Sequence, residues 1–82
     1  MARIFEKEGE TKKGRKVRVT IGQFSSEGGV KGRGVQYNYE VFAEVLGPHN
    51  ETLIADGYAY ITNKRKAIKE ANQLFKKLVK HW

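Results

Sequence analysis

Cysteine is absent from this 82-residue chain, and proline occurs once, as Pro48. Without cysteine there are no disulfides, thiolate metal sites or thiol nucleophiles, a composition that suits a reducing compartment. No apolar run approaches the length of a membrane span, and the opening residues Met1–Glu10 lack the apolar segment of a secretion signal. A cytoplasmic location is therefore expected, and the Asn50-Glu51-Thr52 sequon is read as chance. Imidazole is scarce: His49 follows Pro48 in a turn, His81 lies near the end, and neither has metal-ligand spacing. Ser25 and Ser26 have no base at a defined spacing. The run Gly28-Gly29-Val30-Lys31-Gly32-Arg33-Gly34 lacks the Gly-Lys-Ser/Thr ending of a phosphate-binding loop and leads into a strand pattern. Neither catalytic residues nor a cofactor nor a metal site is expected, and the chain does not read as an enzyme.

A second absence concerns charge. The chain has 16 Lys and Arg against 9 Asp and Glu, a net charge of +7, yet no lysine or arginine occurs between Gly34 and Asn63. The basic residues flank that window. Lys12, Lys13, Arg15, Lys16 and Arg18 lie before it, with Lys31 and Arg33 at its border and a cluster from Lys64 to Lys80 after it. The window itself holds Glu40, Glu44, Glu51 and Asp56. Such segregation points to a polyanionic partner and to a defined surface for it.

The length fits one domain over residues 1–82, and apolar residues at 39% can build a modest core. Arg3-Ile4-Phe5 begins a short strand that the polar run Glu6 to Lys13 is expected to end. Lys16 to Ile21 alternates polar and apolar, as a half-buried strand does. Ser25 to Gly34, with four glycines in ten residues, reads as a loop. Val35 to Leu46 is a long strand whose odd positions form an apolar face. Gly47 to Asn50 is a turn, and Thr52 to Ile61 is another strand with Leu53, Ala55, Gly57, Ala59 and Ile61 expected on the apolar side. After a cap at Thr62 or Asn63, apolar residues from Ala67 to Trp82 recur at helical spacing. The expected fold class is α+β, an antiparallel three- to four-stranded meander with one C-terminal amphipathic helix packed on one face.

Hairpin pairing across the 25–34 loop puts Arg18 near Glu40 and Lys16 near Glu44, to within one pairing step, so part of the basic charge neutralises its own sheet. Pairing around the Gly47–Asn50 turn puts Phe42, Ile54, Tyr58 and Tyr60 on the side away from the helix. Phe42, Tyr58 and Tyr60 there would suit either base stacking or a protein interface. The helix carries Lys64, Arg65, Lys66, Lys69, Lys76, Lys77 and Lys80 against Glu70 alone. Its last lysines are also favoured by the helix C-terminus.

Two resemblances bear on this surface. The strand-to-helix step Tyr58-Ala59-Tyr60-Ile61-Thr62-Asn63-Lys64-Arg65-Lys66-Ala67, within Tyr37 to Leu78, is similar to the small three-stranded DNA-binding domains of integrase arm-binding and plant ethylene-response-factor type. That resemblance implies an open sheet face entering the major groove. Gly47-Pro48-His49, with Lys64-Arg65-Lys66-Ala67 and Ala71, resembles the Gly-Pro-x-His loop and basic helix start of double-stranded-RNA-binding domains. This second resemblance implies contacts to RNA phosphates and the minor groove.

The residues themselves favour phosphate contacts through the glycine-flanked basic segments and the helix. Lys12, Lys13, Arg15, Lys31, Arg33, Lys64, Arg65, Lys66 and Lys69 are the expected nucleic-acid-binding residues. Largely sequence-nonspecific binding to a DNA or RNA duplex is the leading expectation. The alternative is a protein-interaction module, such as a small viral or accessory protein, that docks on an acidic partner or forms a homodimer through Phe42, Tyr58 and Tyr60.

Overall fold

Alternating apolar positions become the inner face of an antiparallel meander in the computed structural model, which describes residues 2–26 and 36–82. The elements are β1 (Ala2–Glu10), β2 (Lys16–Ser26), β3 (Gln36–Leu46), β4 (Thr52–Ile61) and α1 (Lys64–His81). The sheet order is β1-β2-β3-β4, every neighbour pair is antiparallel, and α1 covers one face. The α+β meander is thus four-stranded. Among the described residues no helix is long and apolar enough to cross a membrane.

The core lies between α1 and the central strands. Val17, Val19 and Ile21 of β2 and Val41, Ala43 and Val45 of β3 are buried, because each second residue of a strand points to the same side. Ala67, Ala71, Leu74 and Leu78 meet them from α1. Ala67 and Ala71 are fully buried, and their small side chains let the helix approach the sheet closely. Asn63 is the N-cap: its side-chain oxygen accepts from the Lys66 N–H at 3.2 Å, satisfying one orphan donor of the first turn.

β1 is longer than its composition indicates. Instead of ending after Phe5 it runs on to Glu10, opposite Lys16. Its alternation is hidden because the residues facing α1 after Phe5 are Lys7 and Gly9 rather than apolar ones. Lys7 lays its ammonium 4.6 Å from the Phe75 ring centroid and donates to Asn72 Oδ1 at 3.3 Å. Gly9 lies beneath the same ring, where a Cβ would come within 2.6 Å of Phe75 Cζ.

The register of β4 also departs from expectation. Leu46 pairs with Thr52 as the turn dictates, but Val45 pairs with Ile54, so an extra residue enters β4 at Leu53. A one-residue bulge exchanges the two faces of everything beyond it. Ile54, Asp56 and Tyr58 therefore share the side of Val45, Ala43 and Val41, which faces the helix. Ala55 and Gly57 turn to the open side with Glu44 and Phe42. A second irregularity between Tyr58 and Ile61 returns Ile61 to the helix side, opposite Tyr39. There Tyr60 has φ 61°, in the left-handed region that a bulky residue rarely occupies. The expected apolar side of β4 survives only at Ile61.

Candidate nucleic-acid interface

Where a cation is fixed by a partner within the fold, it is a poor candidate for an external phosphate. Arg18 is the clearest case. Its Nε and Nη2 donate to Glu44 Oε1 at 3.1 and 2.6 Å, and Thr52 Oγ1 donates to the other carboxylate oxygen at 3.4 Å. The hydrogen bonds to Glu44, and then its charge, hold the Arg18 guanidinium above its ordinary pKa. The partner is Glu44, four residues along β3 from the expected Glu40, because the register of β2 and β3 is shifted. Lys16 correspondingly lies opposite Glu10 and Leu46 rather than Glu44. Arg3 pairs with Glu6 at 3.5 Å.

Arg15 is also engaged. The tight turn from Thr11 to Arg15 closes with the Thr11 N–H donating to the Arg15 carbonyl at 2.9 Å, and Gly14 supplies the positive φ of 79° that the turn requires. Arg15 Nη1 then donates to the Trp82 carbonyl at 3.3 Å, with the guanidinium 5.9 Å from the indole centroid. This contact anchors the turn at the C-terminal end of α1, where a cation is favoured. Lys12 and Lys13 remain exposed at that end. A groove of about 410 Å³ between the two turns is lined there by Lys13, Arg15, Lys16 and Pro48 together with Glu10.

The outer face of α1 carries cations without such partners among the described residues. At about 100° per residue, Arg65, Lys69, Lys76 and Lys80 fall within an arc of about 60° and span about 22 Å along the axis. All four are exposed. Lys66 and Lys77 form the next line, with Glu70 and Gln73 between them. The first line contains no acid. Lys64, at the first helical position, points about 160° away from Lys66 and does not extend either line.

The structure thus joins Arg65, Lys66 and Lys69 to Lys76, Lys77 and Lys80, and sets Lys12 and Lys13 at the opposite end of the helix from Lys64. Lys31 and Arg33 lie outside the described residues. Lys76 and Lys80 do not stand among the expected nucleic-acid-binding residues, because their place near the helix C-terminus already accounts for their charge. Their spacing to Arg65, eleven and fifteen residues on, is the signal that would have found them.

The open sheet face has the opposite character. Among the described residues Glu6, Glu8 and Glu10 of β1 join Glu40 and Glu44 there, against Arg3, Lys16 and Arg18: five acids and three bases, net −2. The expected aromatic cluster does not assemble on it. Phe42 lies on the open side, whereas Tyr58 lies on the helix side, opposite Val41. The bulge at Leu53 is the physical reason. Tyr60, 78% exposed, instead meets Phe24 edge to face across β3 with ring centroids 6.2 Å apart, and Asn38 between them is buried.

No protein-family model, curated protein or solved structure matches this chain.

Proposed function

We propose that this protein binds double-stranded nucleic acid through the outer face of α1, neutralising phosphates with little regard to sequence. The single observation that carries this reading is the acid-free line Arg65, Lys69, Lys76 and Lys80 along an exposed helix face. Cations there face water with no partner among the described residues, so contact with phosphate breaks no described ion pair and releases counterions from the duplex. Lys66 and Lys77 broaden the line, and the exposed Lys12 and Lys13 would contact phosphates beyond its C-terminal end. Contacts of this kind position a protein on a duplex but carry no sequence information. The net-negative open sheet face turns away from the polyanion. A protein without cysteine working on nucleic acid in this way fits the cytoplasm.

Titration of mixed-sequence DNA and RNA duplexes at two salt concentrations tests the reading. Binding that is measurable at low salt and falls steeply as salt rises is expected. Absence of affinity for either duplex at low salt would remove it.

A further inference from the structure

The open sheet face contains a slot that the helix-face reading leaves unused. Arg3 pairs with Gly22 across β1 and β2, and Gly22 pairs with Glu40 across β2 and β3. All three face the same side. Since Gly22 has no side chain, Arg3 and Glu40 stand two strand spacings apart, about 9.5 Å, with bare backbone between them. In the neighbouring row Thr20 pairs with Phe42. Together these residues line a cavity of about 220 Å³. It is smaller than the roughly 300–1,000 Å³ of sites for drug-sized ligands.

The chemistry of the walls is specific. Phe42 is 42% exposed, and its cross-strand neighbours Thr20 and Gly57 are too small to cover the ring. Glu40 makes no salt bridge among the described residues. Among the described residues Arg3 is held only by an exposed pair with Glu6, which a better partner displaces. The slot thus offers an aromatic surface, a two-oxygen acceptor on one side and a planar fork of donors on the other. Glu6 and Glu40 repel phosphate, so a nucleotide bound here would be held by its base.

We infer that the slot over Gly22 binds one unpaired guanine, stacked on Phe42 between Glu40 and Arg3. Guanine alone among the four common bases presents adjacent N1–H and N2 amine donors, which match both oxygens of the Glu40 carboxylate. Its O6 and N7 acceptors lie on the next edge and match a guanidinium such as Arg3. Stacking on Phe42 supplies affinity that does not depend on base identity. The inference rests on the protein being a nucleic-acid binder, but it concerns the face opposite the cationic helix, so the two contacts do not compete.

The test is fluorescence anisotropy with a single-stranded thymine tract carrying one central guanine, compared with inosine or adenine at that position. Inosine lacks the N2 amine and changes nothing else. The guanine tract is expected to bind at least about fivefold more tightly than the inosine tract, the lower end of the discrimination of a bidentate contact. Glu40→Gln should abolish that preference, and Phe42→Leu should weaken all three tracts. Equal affinity for guanine and inosine, or an unchanged preference in Glu40→Gln, overturns the inference. Duplex binding without guanine preference would sink the slot and leave the helix-face reading intact; guanine preference without duplex binding would do the reverse.

Discussion

Gly57 and Arg18 are positions where one residue fixes what its neighbours can do. A Cβ at Gly57 would run into the Val41 carbonyl oxygen, which is backbone and cannot swing aside. Gly57→Ala is therefore expected to destabilise the protein by about 1–3 kcal/mol, read as a lower urea midpoint. Arg18 is held in an internal ion pair by Glu44. Its raised pKa means that its contribution to stability is fully present below the ordinary arginine value and is lost only as pH climbs through the raised one. Over the neutral range the pair therefore contributes no pH dependence through Arg18. Glu44→Gln should cost about 1 kcal/mol of stability, measured by urea unfolding. The same variant should leave the salt slope of duplex binding unchanged; a slope steeper by about one would mean that the released Arg18 reaches phosphate.

Among the elements, α1 is held by its cap and its small inner residues. Asn63→Ala removes the acceptor for the Lys66 N–H and should cost about 1 kcal/mol, with a matching drop in thermal midpoint. Ala71→Leu drives extra volume against the fully buried inner surface and should cost about 1–3 kcal/mol in urea unfolding. The helix, β2 and β3 were legible in the sequence because their periodicity is carried by the side chains that form the core. β1 was half legible. Its helix-facing positions after Phe5 are a lysine whose stem packs under Phe75 and a glycine that makes room for that ring, so neither registers as apolar. β4 was legible as a strand but not in its register. Leu53, Ala55 and Gly57 form as plausible an inner set as Ile54, Tyr58 and Ile61. Only the extra residue at Leu53 decides between them, and a local bulge leaves no compositional mark.

At the scale of the whole molecule, the sequence segregated charge by position and the fold converts this into segregation by face. β1 supplies Glu6, Glu8 and Glu10 to the side that already holds Glu40 and Glu44. The helix turns Arg65, Lys69, Lys76 and Lys80 to the other side. The glycine-flanked cations Lys12 and Lys13 were visible from the start, but their distance from Lys64–Lys66 was not. That separation depends on Arg15 anchoring the turn to Trp82, a contact between residues 67 positions apart.

The central claim, that the outer line of α1 is the phosphate-contacting surface, is tested most directly by the salt slope of duplex binding in the double variant Lys69→Ala, Lys76→Ala. Both positions are exposed and alanine favours helix, so the fold should survive. If each lysine neutralises one phosphate of B-form DNA, the slope of log affinity against log salt falls by about 1.8, and affinity drops alike for every sequence. An unchanged slope in a variant that remains folded would contradict the claim.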